Sequence, residues 1–318
     1  MTTANDFIRQ LRLPLIGSPM FIVSTPALVI AQCQAGIVGS FPALNARPQA
    51  MLRDWLTEIR DTLAASKGAG HKPAPYAVNQ ICHGSNDRLM ADMELCVEFE
   101  VPLIITSLQL NRDVVDAVHS YGGLVFHDVI NVRHADKAIE AGVDGVIAVC
   151  AGAGGHAGRL SPFALCKEIR ARFDGVVVLA GAITSGADVA AARAMGADLA
   201  YMGTRFIASE EANAVDGYKQ MIVDSAASDV VYTSLFSGVQ GNYLKGSVRN
   251  IGMDPEALPE ADKTKMNFGS GGNTDAKAWV DIWSAGQGVG GIDSVPSVAD
   301  LVDQLESEFD GARERLAG

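Results

Sequence analysis

Basic residues are scarce in this chain of 318 residues. Lysine and arginine number 25, against 37 aspartates and glutamates, which gives a formal net charge of −12 at neutral pH. Proteins that bind nucleic acid present clustered positive charge to the phosphate backbone. The charge balance therefore argues against nucleic acid as a partner.

Patterns that hold metals or activate nucleophiles are also missing. The five cysteines have no CxxC spacing, and an odd number does not form a complete disulfide framework. No HxxxH or HExxH pattern indicates a metal site, and no GxSxG elbow indicates a serine nucleophile. We expect reduced thiols and no metal.

Long apolar runs are absent as well. None approaches the roughly 20 residues of a membrane helix, and the first residues lack a basic segment followed by an apolar core. These absences predict a cytoplasmic protein that has no membrane partner.

Short apolar runs alternate with longer helical segments from residue 15 to about residue 206. This alternation is typical of βα units in a parallel sheet. Eight strands are predicted, at 15–18, 36–39, 76–79, 103–106, 124–128, 145–149, 176–180 and 199–202. The helices between them are predicted at 26–35, 49–65, 87–99, 112–121, 132–141, 162–171 and 185–195. Eight such units favour an α/β fold of the TIM (β/α)8 barrel type over an open doubly wound sheet.

The alternation stops after residue 208. Residues 209–281 are more polar and include a Gly/Ser/Asn tract at 267–273, so we interpret them as a small lid subdomain inserted after strand eight. The barrel then comprises 1–208 and 282–318, with a last amphipathic helix over 298–316. Five aromatic residues either line a pocket or form a small core of the insertion: Tyr232, Phe236, Tyr243, Trp279 and Trp283.

A glycine-rich turn around His156, at 151–158, follows the sixth predicted strand. Active sites of barrels lie at the carboxyl ends of the strands, so this turn should neighbour those after strands seven and eight. These two turns contain Gly181, Ala182, Gly203 and Thr204. Such loops often bind phosphate through backbone N–H groups, although small residues also simply permit tight turns.

Two further interpretations concern neighbouring positions. Gly152, Gly154 and Ala157 match a loose dinucleotide-binding fingerprint, but residues 159–162 delay the helix that should follow directly, and five βα units precede the motif. His127 ends the fifth predicted strand and is therefore well placed to contact a ligand. The other histidines are better explained as surface or structural residues.

Four segments, taken in order and spacing, resemble the nitronate monooxygenase family. They are 154–158, 180–182, 202–206 and 282–287. This family, formerly called 2-nitropropane dioxygenases, includes FMN-dependent NADH:quinone reductases and is related to flavin-dependent enoyl-acyl carrier protein reductases. The resemblance runs over nearly the whole chain and implies a TIM barrel with bound FMN.

The resemblance also implies a set of site residues. The phosphate would be held by Gly181, Ala182, Gly203 and Thr204. The flavin ring would be contacted by Gly17, Ser18, Pro19, Met20 and Asn79, and the segment from Ser284 to Gln287 would close over it. His156 takes the position of the family's active-site histidine. We add His127, Gly155 and Ala180 to the expected cofactor contacts.

Two residues depart from the family pattern. Ala182 stands where many members have glycine, and its methyl group is tolerated if φ is negative. Asp128 stands where some members place a lysine, and a carboxylate there would stabilise an anionic flavin or substrate less well.

The leading hypothesis is that an alkyl nitronate is oxidised with O2 to a carbonyl compound and nitrite. His156 acts either as a base or as a hydrogen-bond donor. One alternative is an FMN-dependent reductase that passes electrons from NAD(P)H to a quinone or an enoyl thioester. A second is a barrel without redox function that binds a phosphate ligand. The use of NAD(P)H and the formation of a homodimer stay open.

Overall fold

The computed structural model describes residues 4–259 and 280–318. Eight parallel strands form one sheet: β1 (Leu15–Gly17), β2 (Gly39–Pro42), β3 (Tyr76–Cys82), β4 (Leu103–Leu108), β5 (Leu124–Val129), β6 (Gly145–Val149), β8 (Val176–Ala180) and β9 (Leu199–Met202). Their order is β1-β9-β8-β6-β5-β4-β3-β2. Val38, just before β2, exchanges backbone hydrogen bonds with Leu15 and Gly17, which joins the two ends of the sheet. The predicted TIM barrel is confirmed.

Helices cover the outside of the barrel. They are α2 (Pro26–Gln34), α3 (Met51–Gly68), α4 (Leu89–Glu98), α5 (Arg112–His119), α6 (Val132–Glu140), α7 (Pro162–Arg170), α8 (Gly186–Ala194) and α12 (Val298–Ala317). All eight predicted strands occur, but β2 begins three residues later than expected. The reason is Gly36, which adopts φ +92° directly after α2 and therefore terminates the helix rather than starting a strand.

The core has two layers, because side chains of a strand alternate between its faces. Inside the barrel lie residues such as Ile105, Phe126 and Ile147, and α1 (Ala4–Arg9) adds Phe7, whose ring meets Phe126 edge to face at 6.3 Å. The opposite faces of the strands pack under the helices. The helix α1 was not among the predicted elements.

The chain after β9 contains α9 (Thr204–Ile207), α10 (Asp216–Val223), β10 (Val230–Thr233), β11 (Gly241–Leu244) and α11 (Lys245–Asn250). A short strand β7 (Gly155–His156) pairs with β11, so the sequence predicted as a turn joins a three-stranded sheet of order β10-β11-β7. The segment after the barrel is thus hydrogen-bonded to the histidine turn.

The aromatic residues of this segment divide between the two interpretations. Phe236 and Tyr243 are buried in a small core, where their rings meet at 5.1 Å. Tyr232 lines the central cavity, and Trp283 stacks on Tyr218 at 5.0 Å. The tract 267–273 and Trp279 lie outside the described residues.

All five cysteines are buried and unpaired. Within residues 4–259 and 280–318, no group of three or more His, Cys, Asp or Glu side chains is arranged to hold a metal ion. None of the helices in these ranges is both long and apolar enough to span a lipid bilayer.

Candidate active site

A cavity of about 850 Å³ opens at the carboxyl ends of the barrel strands. This volume lies toward the upper end of the roughly 300–1,000 Å³ that is usual for ligand pockets. Twelve of the residues expected at the site line the cavity: Ser18, Pro19, Met20, Asn79, Gly155, His156, Ala180, Gly181, Ala182, Gly203, Thr204 and Ser284. The structure therefore brings together segments that are far apart in the sequence.

Three expected contacts do not line the cavity. Gly17 faces the helix layer, where an added Cβ would fall 2.2 Å from Nε2 of Gln32. Gln287 is exposed, and its backbone N–H donates to the carbonyl of Gly152 at 2.9 Å. The third is His127.

His127 lies on the outer face of β5, because Phe126 and Asp128 on either side of it point inward. Its Nδ1 atom hydrogen-bonds to Oγ1 of Thr106 at 2.8 Å, and burial lowers its pKa to about 4. Asp128, one residue later, lines the cavity instead. Alternation along a strand predicts that His127 and Asp128 lie on opposite faces of β5, and the structure shows that the face with Asp128 is the inner one.

One end of the cavity is suited to an anion. The short helix α9 begins directly after Gly203, and the first N–H groups of a helix have no intrahelical partners. Thr204 contributes a hydroxyl whose Oγ1 accepts from the Gly286 N–H at 2.8 Å. Among the described lining residues, Asp128 is the one carboxylate, and it belongs to β5 rather than to this end. No described acidic side chain thus opposes a phosphate at α9.

Strained backbone concentrates around the cavity. Ala182 has φ +55°, so the expectation of a negative φ is wrong: the methyl group occupies a left-handed conformation. Ile22 and Leu108 are also left-handed, with φ of +68° and +74°. Leu108 lines the cavity, and Ile22 lies between the lining residues Phe21 and Val23. Such conformations cost about 1–3 kcal/mol each and cluster at functional sites.

His156 lies at the end of β7, which β11 holds through the pairing of Gly241 with His156. The imidazole Nε2 lies 3.0 Å from Oγ of Ser237, and this hydroxyl donates to the carbonyl of Val239 at 3.0 Å. When the hydroxyl proton points to Val239, Oγ accepts from Nε2–H and Nδ1 is the basic nitrogen. Burial lowers the pKa of His156 to about 4, so the ring is neutral at pH 7.

The mouth of the cavity is apolar and carries one guanidinium. Leu108, Ile130 and Leu160 line it and remain exposed to solvent. Arg159 lies over the ring of Tyr232 at 5.4 Å, and the Tyr232 hydroxyl donates to the carbonyl of Ala157 at 2.7 Å. Arg159 and Ser107 were not predicted, because loop and strand-end positions give no periodic signal of their own.

Comparison with known proteins identifies the family. A family model described as nitronate monooxygenase matches residues 5–308. The chain belongs to the nitronate monooxygenase family. The nitronate monooxygenase of Paraburkholderia phytofirmans is 29% identical, over 95% of this chain and 94% of that protein.

Solved structures agree in fold. FabK from Thermotoga maritima superposes with a TM-score of 0.79 at 26% identity, over 100% of this chain and 99% of that one. A nitroalkane oxidase from Streptomyces ansochromogenes superposes with a TM-score of 0.77 at 22% identity, over 99% of this chain and 100% of that one, which supports the fold alone.

Family membership makes this chain a flavin-dependent oxidoreductase, so the alternative of a barrel without redox function does not hold. The cavity fits a flavin. It offers an anion-binding end at Gly203 and Thr204, a largely apolar lining, and a buried carboxylate oxygen of Asp128 that has no hydrogen-bond partner within the described residues. A ligand with a phosphate and a polar ring edge would satisfy both ends.

Gly286 is predicted to be necessary for flavin binding. A Cβ at this position would lie 2.6 Å from the Gly152 carbonyl oxygen and 3.1 Å from the Gly154 nitrogen, and backbone atoms cannot rotate away. Gly286→Ala should therefore push the segment after Ser284 away from the cavity and weaken flavin binding about 10-fold or more, since overpacking costs about 1–3 kcal/mol.

Fluorescence titration of the apoprotein with FMN measures this effect. Gly290→Ala is the matched control, because the nearest atom to its added Cβ, Cα of Ala226, is 3.5 Å away. Equal FMN affinities of the two variants would contradict the prediction.

Proposed function

We propose that this protein binds FMN and oxidises alkyl nitronates with dioxygen to carbonyl compounds and nitrite. The observation that carries the proposal is His156, a neutral imidazole on the cavity wall. Its position in a family of nitronate monooxygenases supports the reaction class.

FMN, with a single phosphate, suits the anion-binding end better than a dinucleotide. Gly286 donates to Thr204, and an added Cβ at Gly154 would lie 2.9 Å from the Gly286 nitrogen. These close contacts between the 154 turn, α9 and the 286 segment leave little room beyond a first phosphate. When bound, FMN accepts the electrons of the substrate and passes them to dioxygen.

His156 supplies proton chemistry and orientation. Its neutral ring is able to take a proton from the carbon next to the nitro group of a neutral nitroalkane, which yields the nitronate that is then oxidised. Ser237 selects the tautomer with the proton on Nε2 when its own proton points to Val239, because its Oγ then accepts from Nε2–H. Tyr243 lies 3.1 Å from the same Ser237 oxygen and adds a second contact that holds the hydroxyl.

The entrance favours an anionic substrate, which a nitronate is. Arg159 is the one lysine or arginine among the described lining residues, and the wall beside it is apolar. The chain as a whole carries a net charge of −12, so a cation at the mouth offsets the repulsion of an incoming anion locally. An alkyl chain would lie on Leu108, Ile130 and Leu160.

Anaerobic reduction of the FMN-loaded protein tests the proposed reaction. We expect ethyl nitronate to bleach the flavin absorbance near 450 nm quickly, and NADH at the same concentration to do so at least about 10-fold more slowly, or not at all. Under air, the nitronate reaction should release nitrite. A protein that gains no flavin on incubation with FMN would contradict the cofactor assignment.

A second candidate is the NAD(P)H-dependent reductase. The observation in its favour is the similarity to FabK over the full length of both chains. The same experiment separates the two candidates, because rapid bleaching by NADH with no response to the nitronate would favour the reductase.

A further inference from the structure

Three polar side chains form a row along one wall of the cavity, and their hydrogen bonds have a defined direction. Asn79 donates from Nδ2 to the carbonyl oxygen of Ile105 at 3.1 Å and to Oγ of Ser107 at 2.8 Å. A backbone carbonyl only accepts, so the contact with Ile105 fixes which end of the amide carries the hydrogens.

The direction continues through Ser107. Because Ser107 Oγ accepts from Asn79, its own proton is available for Asp128, and it donates to Oδ2 of Asp128 at 2.5 Å. Every proton of the row is therefore used within the wall. What the row offers to a ligand is acceptor atoms.

Asp128 ends the row at the cavity. Its Oδ1 atom is buried and has no hydrogen-bond partner in the part of the chain that the structure describes. A buried carboxylate oxygen without a partner is unfavourable, because it has lost its hydration without replacement. Burial raises the pKa of Asp128 to about 6, which still leaves a carboxylate at pH 7.5. A ligand donor at Oδ1 would remove the penalty.

The oxidised flavin ring has one N–H group, the imide between its two carbonyls. We propose that Oδ1 of Asp128 accepts a hydrogen bond from this imide N–H, so that Asp128 is a cofactor-binding residue that recognises the polar edge of the ring. The inference rests on the proposed function for its flavin but is independent of the nitronate. It assigns Asp128 as an acceptor on the β5 side of the cavity, apart from the proposed phosphate contacts at Gly203 and Thr204.

The test compares two ligands that differ only at the imide. Apoprotein is titrated with FMN and with 3-methyl-FMN, in which a methyl group replaces the imide hydrogen. We expect the wild-type protein to bind FMN about 10- to 100-fold more tightly than 3-methyl-FMN. Hydrogen bonds to charged groups are among the stronger hydrogen bonds, and the loss of one is sufficient to change the affinity by such a factor. Equal affinities would overturn the proposal.

Variants show whether Asp128 is the cause. Asp128→Ala should bind the two flavins with affinities within about twofold of each other. This variant has neither the carboxylate oxygen that accepts the imide hydrogen nor the side chain that obstructs the methyl group. Asp128→Asn keeps the shape; its oxygen takes the Ser107 proton and its N–H groups face the imide, so FMN should bind at least about 10-fold more weakly. A preference for FMN that persists in Asp128→Ala would overturn the assignment.

Asp116→Ala is the matched control, because Asp116 is an exposed acid on α5 and should retain the wild-type preference. The result also separates this inference from the proposed reaction. If the protein prefers FMN to 3-methyl-FMN but does not oxidise nitronates, the proposed reaction is wrong and the assignment of Asp128 is retained. A protein that binds neither flavin would overturn both.

Discussion

Replacement of His156 by asparagine should lower turnover of a neutral nitroalkane by a factor of about 10² to 10⁴ while FMN stays bound. This range is the usual contribution of a positioned general base. Asparagine retains polarity and approximate size but has no basic nitrogen. The effect should appear in kcat/KM for the nitroalkane and much less for the preformed nitronate, which has already lost the proton. The affinity for FMN should not change, because the expected phosphate contacts lie at Gly203 and Thr204.

His119→Asn is the control, since His119 is an exposed residue that contacts Asp144 at 2.9 Å on the outer surface. Turnover of His156→Asn within a factor of three of wild type would exclude the histidine from the reaction.

The pKa of His156 predicts how the activity depends on pH. An unperturbed histidine has a pKa of about 6.5, whereas burial lowers that of His156 to about 4. The neutral form therefore persists as the pH falls, so the loss of activity caused by protonation of His156 should be centred near pH 4, below the loss expected near pH 6 from protonation of Asp128. Steady-state assays of Asp128→Ala protein saturated with flavin isolate the histidine, and a decline centred at pH 6.5 in these assays would contradict the lowered pKa.

Gly186→Ala should destabilise the fold by about 3 kcal/mol. Gly186 begins α8 and is packed against α12, so that an added Cβ would lie 1.9 Å from the carbonyl oxygen of Leu305 and 2.5 Å from the nitrogen of Phe309. Its own N–H donates to Glu308 at 2.8 Å. The backbone of α12 would have to move, which reduces the burial of Leu305, and overpacking typically costs 1–3 kcal/mol or somewhat more.

Urea unfolding measures this loss as a lower midpoint with an unchanged slope. Gly311→Ala within α12 is the control, because the nearest atom to its added Cβ is Nη1 of Arg315 at 3.7 Å. In a helix interior alanine is favoured over glycine by up to about 1 kcal/mol, so this variant should unfold at a higher urea concentration. A Gly186→Ala midpoint equal to that of wild type would show that α12 adapts freely.

The barrel was predictable from local signals. Each strand is a short apolar run. The helices α6 and α8 end shortly before glycines with a left-handed backbone, Gly142 and Gly196. The strand β7 was not predictable, because its pairing with β11 depends on residues far along the chain. Backbone angles were equally inaccessible: the sequence alone does not reveal that Ala182 is left-handed.

The candidate site was predictable where a residue type has one common role at its position in the fold. Glycine turns after the last two strands of a barrel are typical of phosphate sites, and in the structure residues of both turns line the cavity. The choice between His127 and Asp128 needed the register of β5, which composition does not contain. In the structure, Asp128 presents an acceptor to the cavity.

The pairing of β7 with β11 has a consequence for the modularity of this enzyme. His156 and Ser237 are 81 residues apart in the chain but lie 3.0 Å apart in the structure. A barrel trimmed of the segment from α10 to α11 would keep Gly203, Thr204 and Asp128 but would lose the strand that aligns the histidine and the hydroxyl that contacts it. Proton chemistry thus belongs to the barrel and this segment jointly, and neither part carries it to another scaffold by itself.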